Sequence, residues 1–339
     1  MSDRDELIKL LLSIIVDYRE DQIARPDYQH VNRWIEQFPK EKEILILKEV
    51  IHTLSKTYFS KKKVEGVFNG LTEHKLLVAD NPGTHWSSAS LLDIQKGGNS
   101  QHDFVSLLSS IIKQKYGITI QTNAPNSNCY YYVDDVLCSG SRVQQDLEAW
   151  IKNEAPNNTK LVICIIALHR YGHWATDNKI AEIIAQSGKT ISVKWMRGIF
   201  LEDRKKYTDN SDVLRPTASP QDPAVQSYVE NMRYKPVYRT PGKLGDLSIF
   251  SSEEGRALLE QELLIKGTYI RNICKNLKTQ HRPLGFSMLE TLGFGSMVVT
   301  YRNCPNNAPL ALWAGDPWYP LLPRSTNRDA KVRRVFEDL

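Results

Sequence analysis

Residues 130–142 read Tyr130-Tyr-Tyr-Val-Asp134-Asp135-Val-Leu-Cys138-Ser-Gly-Ser-Arg142. An apolar run of strand length delivers two adjacent carboxylates to its carboxyl end, the edge where open α/β sheets bind ligands. A loop of small residues, Cys138, Ser139, Gly140 and Ser141, then opens a helix over residues 143–153. Such a loop wraps a phosphate with backbone N–H groups and hydroxyls, and the positive end of the following helix favours the anion. Successive strand residues point to opposite faces, so one carboxylate is placed to accept from vicinal sugar hydroxyls. The other is left to brace the loop or to hold Mg²⁺ indirectly. A phosphorylated sugar suits this arrangement.

Working outward, residues 161–168 form a second apolar run, 175–186 a helical stretch and 190–196 a third strand. That alternation implies a parallel sheet with crossover helices, a doubly wound α/β core. Upstream, residues 74–79 are a short apolar run closed by Asp80-Asn-Pro-Gly83, read as the first strand and turn of this domain. Before it, apolar residues recur at helical spacing over 4–20, 31–38 and 41–59, so residues 1–72 read as a helical domain. Residues 73–322 form the α/β domain and 323–339 a basic tail with Arg324, Arg328, Lys331, Arg333 and Arg334. Within the larger domain, residues 201–223 are polar with three prolines, a long loop able to close over a site. Residues 253–277 predict a long helix, and 297–301 and 310–313 short strands.

Composition narrows the classes. The 339 residues are 41% hydrophobic and 24% charged, with net charge +5, ordinary for a globular protein. No stretch approaches the roughly 18 apolar residues of a membrane span. The acidic start, Met1-Ser-Asp-Arg-Asp-Glu, is unlike a secretory signal and predicts the cytoplasm. Five cysteines without Cys-x-x-Cys spacing predict reduced thiols rather than a disulfide framework or structural zinc.

Other segments carry two readings each. His169-Arg-Tyr-Gly-His173 follows the 161–168 strand. His169 or Arg170 either faces a pyrophosphate or acceptor, or the segment is a capped turn, with Gly172 favouring a loop and only Asp177 offering a third ligand to a direct metal site. Ser87 and Ser88 either form a pyrophosphate-binding loop after the first strand or cap a helix beginning near Ala89. Lys61-Lys62-Lys63 and the basic tail either touch a nucleic-acid backbone or form a solvated face. Ser187-Gly-Lys-Thr190 lacks the earlier glycine of a P-loop and precedes a strand, so it is rejected.

Residues 130–142 resemble the diphosphate-sugar motif of the phosphoribosyltransferases: apolar strand, acidic pair, Ser/Thr-Gly loop, helix. The resemblance implies that Asp134 and Asp135 lie at the ribose of phosphoribosyl pyrophosphate (PRPP), that Cys138–Arg142 surround its 5′-phosphate, and that Mg²⁺ accompanies it. Cys138 and Arg142 stand where that motif usually has threonine. More of the chain is similar to the phosphoribosyltransferase-like effectors of bacterial conflict systems, including retron-associated ones. The shared pieces are a helical front (Trp34-Ile-Glu-Gln-Phe38), Ser87-Ser88, Asp212-Val-Leu-Arg-Pro216 and Pro305-Asn-Asn-Ala-Pro-Leu-Ala-Leu-Trp313. This resemblance implies a winged-helix-like front able to meet nucleic acid, antiphage defence through nucleotide chemistry, and either a transferase or hydrolase acting at the anomeric carbon or a nucleotide-sensing subunit. It further implies a reverse transcriptase with its RNA–DNA product as partners, possible oligomers and no membrane.

Overall fold

The computed structural model describes residues 3–78, 80–97 and 99–325. They divide into two units, one made of the chain up to Ser60 together with Leu201–Ser325, the other of Lys61–Phe200.

The first unit begins with α1 (Asp3–Ile14), α2 (Tyr28–Ile35), α3 (Glu43–Thr57) and the two-residue β1 (Tyr58–Phe59). Asp27 caps α2 by accepting from the His30 N–H at 2.8 Å, which fixes where the helix starts and turns Val31, Trp34 and Ile35 inward. Their burial partners come from the far end of the chain. Trp34 is fully buried and its indole N–H donates to the Ala311 carbonyl at 2.9 Å. Leu11, Leu54, Leu263, Met297 and Leu312 share the same apolar core.

The second unit holds α4 (Lys61–Thr72), α5 (Lys75–Val78), α6 (Pro82–Ser88), β2 (Ala89–Leu92), α7 (Ser100–Tyr116), β3 (Gln121–Thr122) and β4 (Cys129–Leu137). It continues through α8 (Ser141–Asn153), β5 (Thr159–His169), α9 (Arg170–Ser187) and β6 (Ile191–Leu201). The strands form a five-stranded sheet in the order β3-β2-β4-β5-β6, with β3, β2, β4 and β5 paired in parallel. All but one residue of β5 are buried, as both faces of a central parallel strand require. Val143, Leu147, Trp150 and Ile151 of α8 and Ile180 and Ile183 of α9 pack on Ile163 and Ile165. Each such side chain taken fully out of water contributes roughly 1.5–3 kcal/mol.

The chain then returns to the first unit with α10 (Pro223–Glu230), α11 (Glu253–Ile273), the antiparallel β7 (His281–Arg282) and β8 (Gly285–Phe286), β9 (Val299–Thr300) and α12 (Leu310–Trp313). The Ser252 hydroxyl caps α11 by accepting from the Gly255 N–H.

Four expectations are corrected here. Residues 1–72 are not a separate domain: the front ends at Ser60 and shares its core with residues 201–325, because its amphipathic helices expose more apolar surface than they can cover alone. A winged front is absent among the described residues, since β1 pairs in parallel with β9, where a wing needs an antiparallel hairpin. Residues 201–223 are not a mobile cover: Glu202 and Ser211 through Arg215 are buried. Finally, residues 74–79 contain the short helix α5 instead of a strand, the sheet's first strand is Ala89–Leu92 where a helix was one of two readings, and 310–313 is helical. Of the basic tail, residues 326–339 lie outside the described residues.

Candidate active site

β2 ends opposite Tyr132, whereas β4 continues to Leu137 by pairing with β5 alone. Asp134 and Asp135 therefore sit three and two residues before the strand's end, yet at the sheet's carboxyl edge on the side where the neighbouring strand has stopped. Asp134 is buried and Asp135 half-buried, on the opposite faces that strand geometry requires. Each carboxylate accepts from the next backbone N–H, Asp134 Oδ1 from Asp135 at 2.9 Å and Asp135 Oδ1 from Val136 at 2.7 Å. Burial, followed by the Asp135 charge, pushes the Asp134 carboxyl well above the usual carboxylate range, and Ser100 and Arg142 act against this rise.

Beyond β4 the small-residue loop of residues 138–141 forms a cradle-shaped turn into α8. Gly140 adopts the left-handed conformation (φ 79°) as the residue preceding α8, and no side chain caps that helix. Ser139, Ser141 and Arg142 are exposed, with the two serine hydroxyls 3.2 Å apart. Cys138 and Gly140 are buried against α9: a Cβ on Gly140 would lie 1.9 Å from Thr176 Oγ1, and one on Gly172 would lie 1.9 Å from the Cys138 carbonyl oxygen. Gly172 is therefore a close-packing glycine inside a helix rather than the loop residue its sequence suggested.

A second loop, residues 93–97, follows β2 at the same edge. Gln101, fully buried, folds it back by accepting from the Ile94 and Gln95 N–H groups at 2.7 and 2.8 Å. Gln95 Nε2 donates to Asp134 Oδ2 at 3.4 Å. Asp146 of α8, also buried, accepts from the Tyr132 hydroxyl at 3.1 Å and from the Lys96 N–H, which ties the loop to the cradle's helix. Gly97 adjoins Arg142, whose Nη1 would lie 4.0 Å from a Cβ placed there. Two loops and an acid pair thus converge on one edge, with Lys96 and Arg142 supplying positive charge.

A family model described as PRTase-CE matches residues 31–324. The chain belongs to this phosphoribosyltransferase-like family. No curated protein matches it. The PRTase-CE match covers most of both units. The quoted resemblance pieces Asp212–Pro216 and Pro305–Trp313 lie in the first unit, where Asp212 accepts from the Glu202 and Leu247 N–H groups and Trp313 from within donates to the Ala308 carbonyl. They are framework.

The remaining candidates fall elsewhere. Ser87 and Ser88 close α6, their hydroxyls donating to the Gly83 and His85 carbonyls, and they precede β2, so they lie at the sheet's amino edge, away from the acid pair. His169 is fully buried with Nδ1 3.0 Å from the Leu137 carbonyl oxygen, and burial pushes its pKa down to about 4. Its place is behind the cradle, supporting the end of β4. Arg170 lies over the Phe200 ring at 4.3 Å, and His173 packs against Trp195 and Phe200. All five cysteines are buried and unbridged.

Sequence reasoning in this PRTase-CE chain missed Gln95, Lys96, Ser100 and Asp146. A signal existed: Lys96-Gly97-Gly98-Asn99-Ser100 combines a cation, a glycine pair and helix-entry residues after a short apolar run. Placing the domain's first strand at residues 74–79 hid it.

Proposed function

We propose that residues 61–200 bind the 5-phosphoribosyl group of PRPP or a nucleotide and act at its anomeric carbon. The observation that carries this reading is the convergence of an acid pair with an uncapped, small-residue helix entry at the sheet's carboxyl edge. Asp135 and Asp134 serve the ribose hydroxyls, and Ser139, Gly140, Ser141, the Cys138 backbone and Arg142 surround the 5′-phosphate. The Lys96 side chain meets the diphosphate. Among the described residues no group of three His, Cys, Asp or Glu side chains is placed to hold a metal. Mg²⁺ fits as a partner of the diphosphate, since it is usually held by one or two carboxylates plus substrate phosphates, and half-buried Asp135 suits that part. When bound it would neutralise the departing diphosphate. The residues' own contribution is positioning and electrostatic stabilisation of an oxocarbenium-like centre, which asks for few covalent partners.

A non-catalytic nucleotide sensor is the second reading. It is favoured by Asp134, whose carboxylate is buried and already engaged by the Asp135 N–H and Gln95. The wider setting, a cytoplasmic antiphage effector or toxin working with a reverse transcriptase and its RNA–DNA product, rests on the resemblance of the quoted segments. Nucleic-acid contact through exposed Lys61, Lys62 and Lys63 belongs to the same proposal.

Calorimetry with PRPP, ribonucleotides and nucleosides, with and without Mg²⁺, followed by product analysis, tests both. Phosphoribosyl binding should weaken about tenfold or more in Asp134→Asn/Asp135→Asn, the loss expected for charged hydrogen bonds. Unchanged binding in that variant would remove the site assignment. Consumption of ligand selects the enzyme, and binding without consumption selects the sensor.

A further inference from the structure

The first unit contains a cleft of about 470 Å³ walled by α10, the last turn of α11 and the segment carrying β7. That volume lies in the range of small-molecule sites. Arg271 and Arg282 both line it, and Glu290 is the only carboxylate among its lining residues. Arg271 is held in place by its own contacts: Nη1 donates to the His281 carbonyl and approaches those of Lys278 and Thr279, and its Cζ lies 6.0 Å from the centre of the Tyr228 ring. Tyr228 is anchored in turn, its hydroxyl donating to the Thr291 carbonyl at 3.1 Å. Arg282 is held as well, its side chain hydrogen-bonded to Tyr228, while its Nε has no acceptor among the described residues. A guanidinium carries five N–H donors, so each arginine keeps donors beyond those its protein contacts use.

We infer that this cleft is a second ligand site, taking a small phosphate monoester of nucleotide size with its phosphate between Arg282 and Arg271. Two guanidinium groups match phosphate geometry through paired N–H donors. Asn231 and Asn272, on the rim, add neutral polar groups for the rest of the ligand, and the Tyr228 ring supplies a wall. The local potential is positive: His281, next to Arg282, has its pKa pushed down to about 4 by burial and by the neighbouring Arg324, Lys278 and Arg271 charges. This site is separate from the acid pair, and it stands or falls independently of the activity proposed for residues 61–200.

Phenylglyoxal modification of the full chain, read by peptide mass spectrometry, follows Arg282 and Arg271 separately from Arg142. AMP should slow modification of Arg282 by about tenfold, as expected for a charge-assisted pair excluded from solvent, and adenosine should not. Protection by inorganic phosphate as well would support a site for the free anion along with its esters. In Arg271→Gln the AMP concentration needed to protect Arg282 should rise about tenfold, the equivalent of losing ~1.4 kcal/mol. If neither AMP nor phosphate protects Arg282 in the unaltered chain, or if adenosine protects it as well as AMP does, the site is refuted. Because the deciding measurement uses the natural sequence, a folding defect in the variant leaves it intact.

Discussion

His169 shows how one residue can be placed by sequence and still be misread. It does follow the strand that borders the site, but it is fully buried and bonded to the Leu137 carbonyl. Its folded pKa of about 4 lies below the ordinary 6.5. Between those values the unfolded chain binds a proton that the native chain refuses, so stability is complete above about pH 6.5 and is lost as pH falls toward 4. At about 1.4 kcal/mol per unit, the loss attributable to this group is on the order of 3 kcal/mol. Asp134, whose carboxyl is raised, acts in the opposite sense, favouring the native state at the acid end of a similar range. The decisive quantity is therefore the difference between chains. The urea midpoint of His169→Gln should fall less between pH 7 and pH 4.5 than that of the natural chain, and an identical pH profile would contradict this account. The two aspartates, by contrast, were legible: an acid pair closing an apolar run puts one carboxylate on each face whatever surrounds it.

At the scale of elements, the site depends on strands of unequal length. β4 outlasts β2, and Gln95 of the loop at 93–97 reaches the space left beside Asp134. Asp146 secures that loop from α8 by accepting from both Tyr132 and Lys96. Removing the carboxylate leaves the buried Tyr132 hydroxyl without its acceptor and releases the Lys96 N–H. Asp146→Ala should accordingly destabilise the second unit by about 1–3 kcal/mol and speed hydrogen exchange at the Lys96 amide. Tyr132→Phe, which leaves Asp146 to the loop, should keep that amide slow. Equal exchange rates at Lys96 in the two variants would mean that Asp146 does not hold the loop. Periodicity located β4, β5, α8 and α11 because each is a long segment with a consistent apolar face. It failed for α5 and β2, where four residues satisfy a helix and a strand equally well.

For the whole molecule, residues up to Ser60 and residues 201–325 share one core, and the sheet unit lies between these segments in sequence. Beneath α11 this first unit carries an ion network, in which Glu260, fully buried, accepts from Arg239, Arg256 and the Arg215 N–H. Arg215 belongs to the Asp212–Pro216 segment, so a stretch that resembled a family signature is there to satisfy buried backbone and charge. Expressed alone, residues 61–200 should fold cooperatively, since they carry their own sheet and core, whereas residues 1–72 should not, since Trp34 and its neighbours would lose Ala311 and the rest of their cover. Circular dichroism melts of the two fragments check this, and a cooperative melt from 1–72 would restore the independent helical front. No helix among the described residues is long and apolar enough to cross a membrane. By itself the sequence determined the features that are local: the parallel α/β character, the acid pair and the cradle after it, because strand alternation and a small-residue turn act over a few neighbouring residues. Only the tertiary structure decided which loop faces Asp134, that Ser87 and Ser88 lie at the opposite edge, and that the first sixty residues share a core with residues 201–325. Those outcomes depend on strand register and on apolar faces finding cover hundreds of residues away, and no local pattern encodes either.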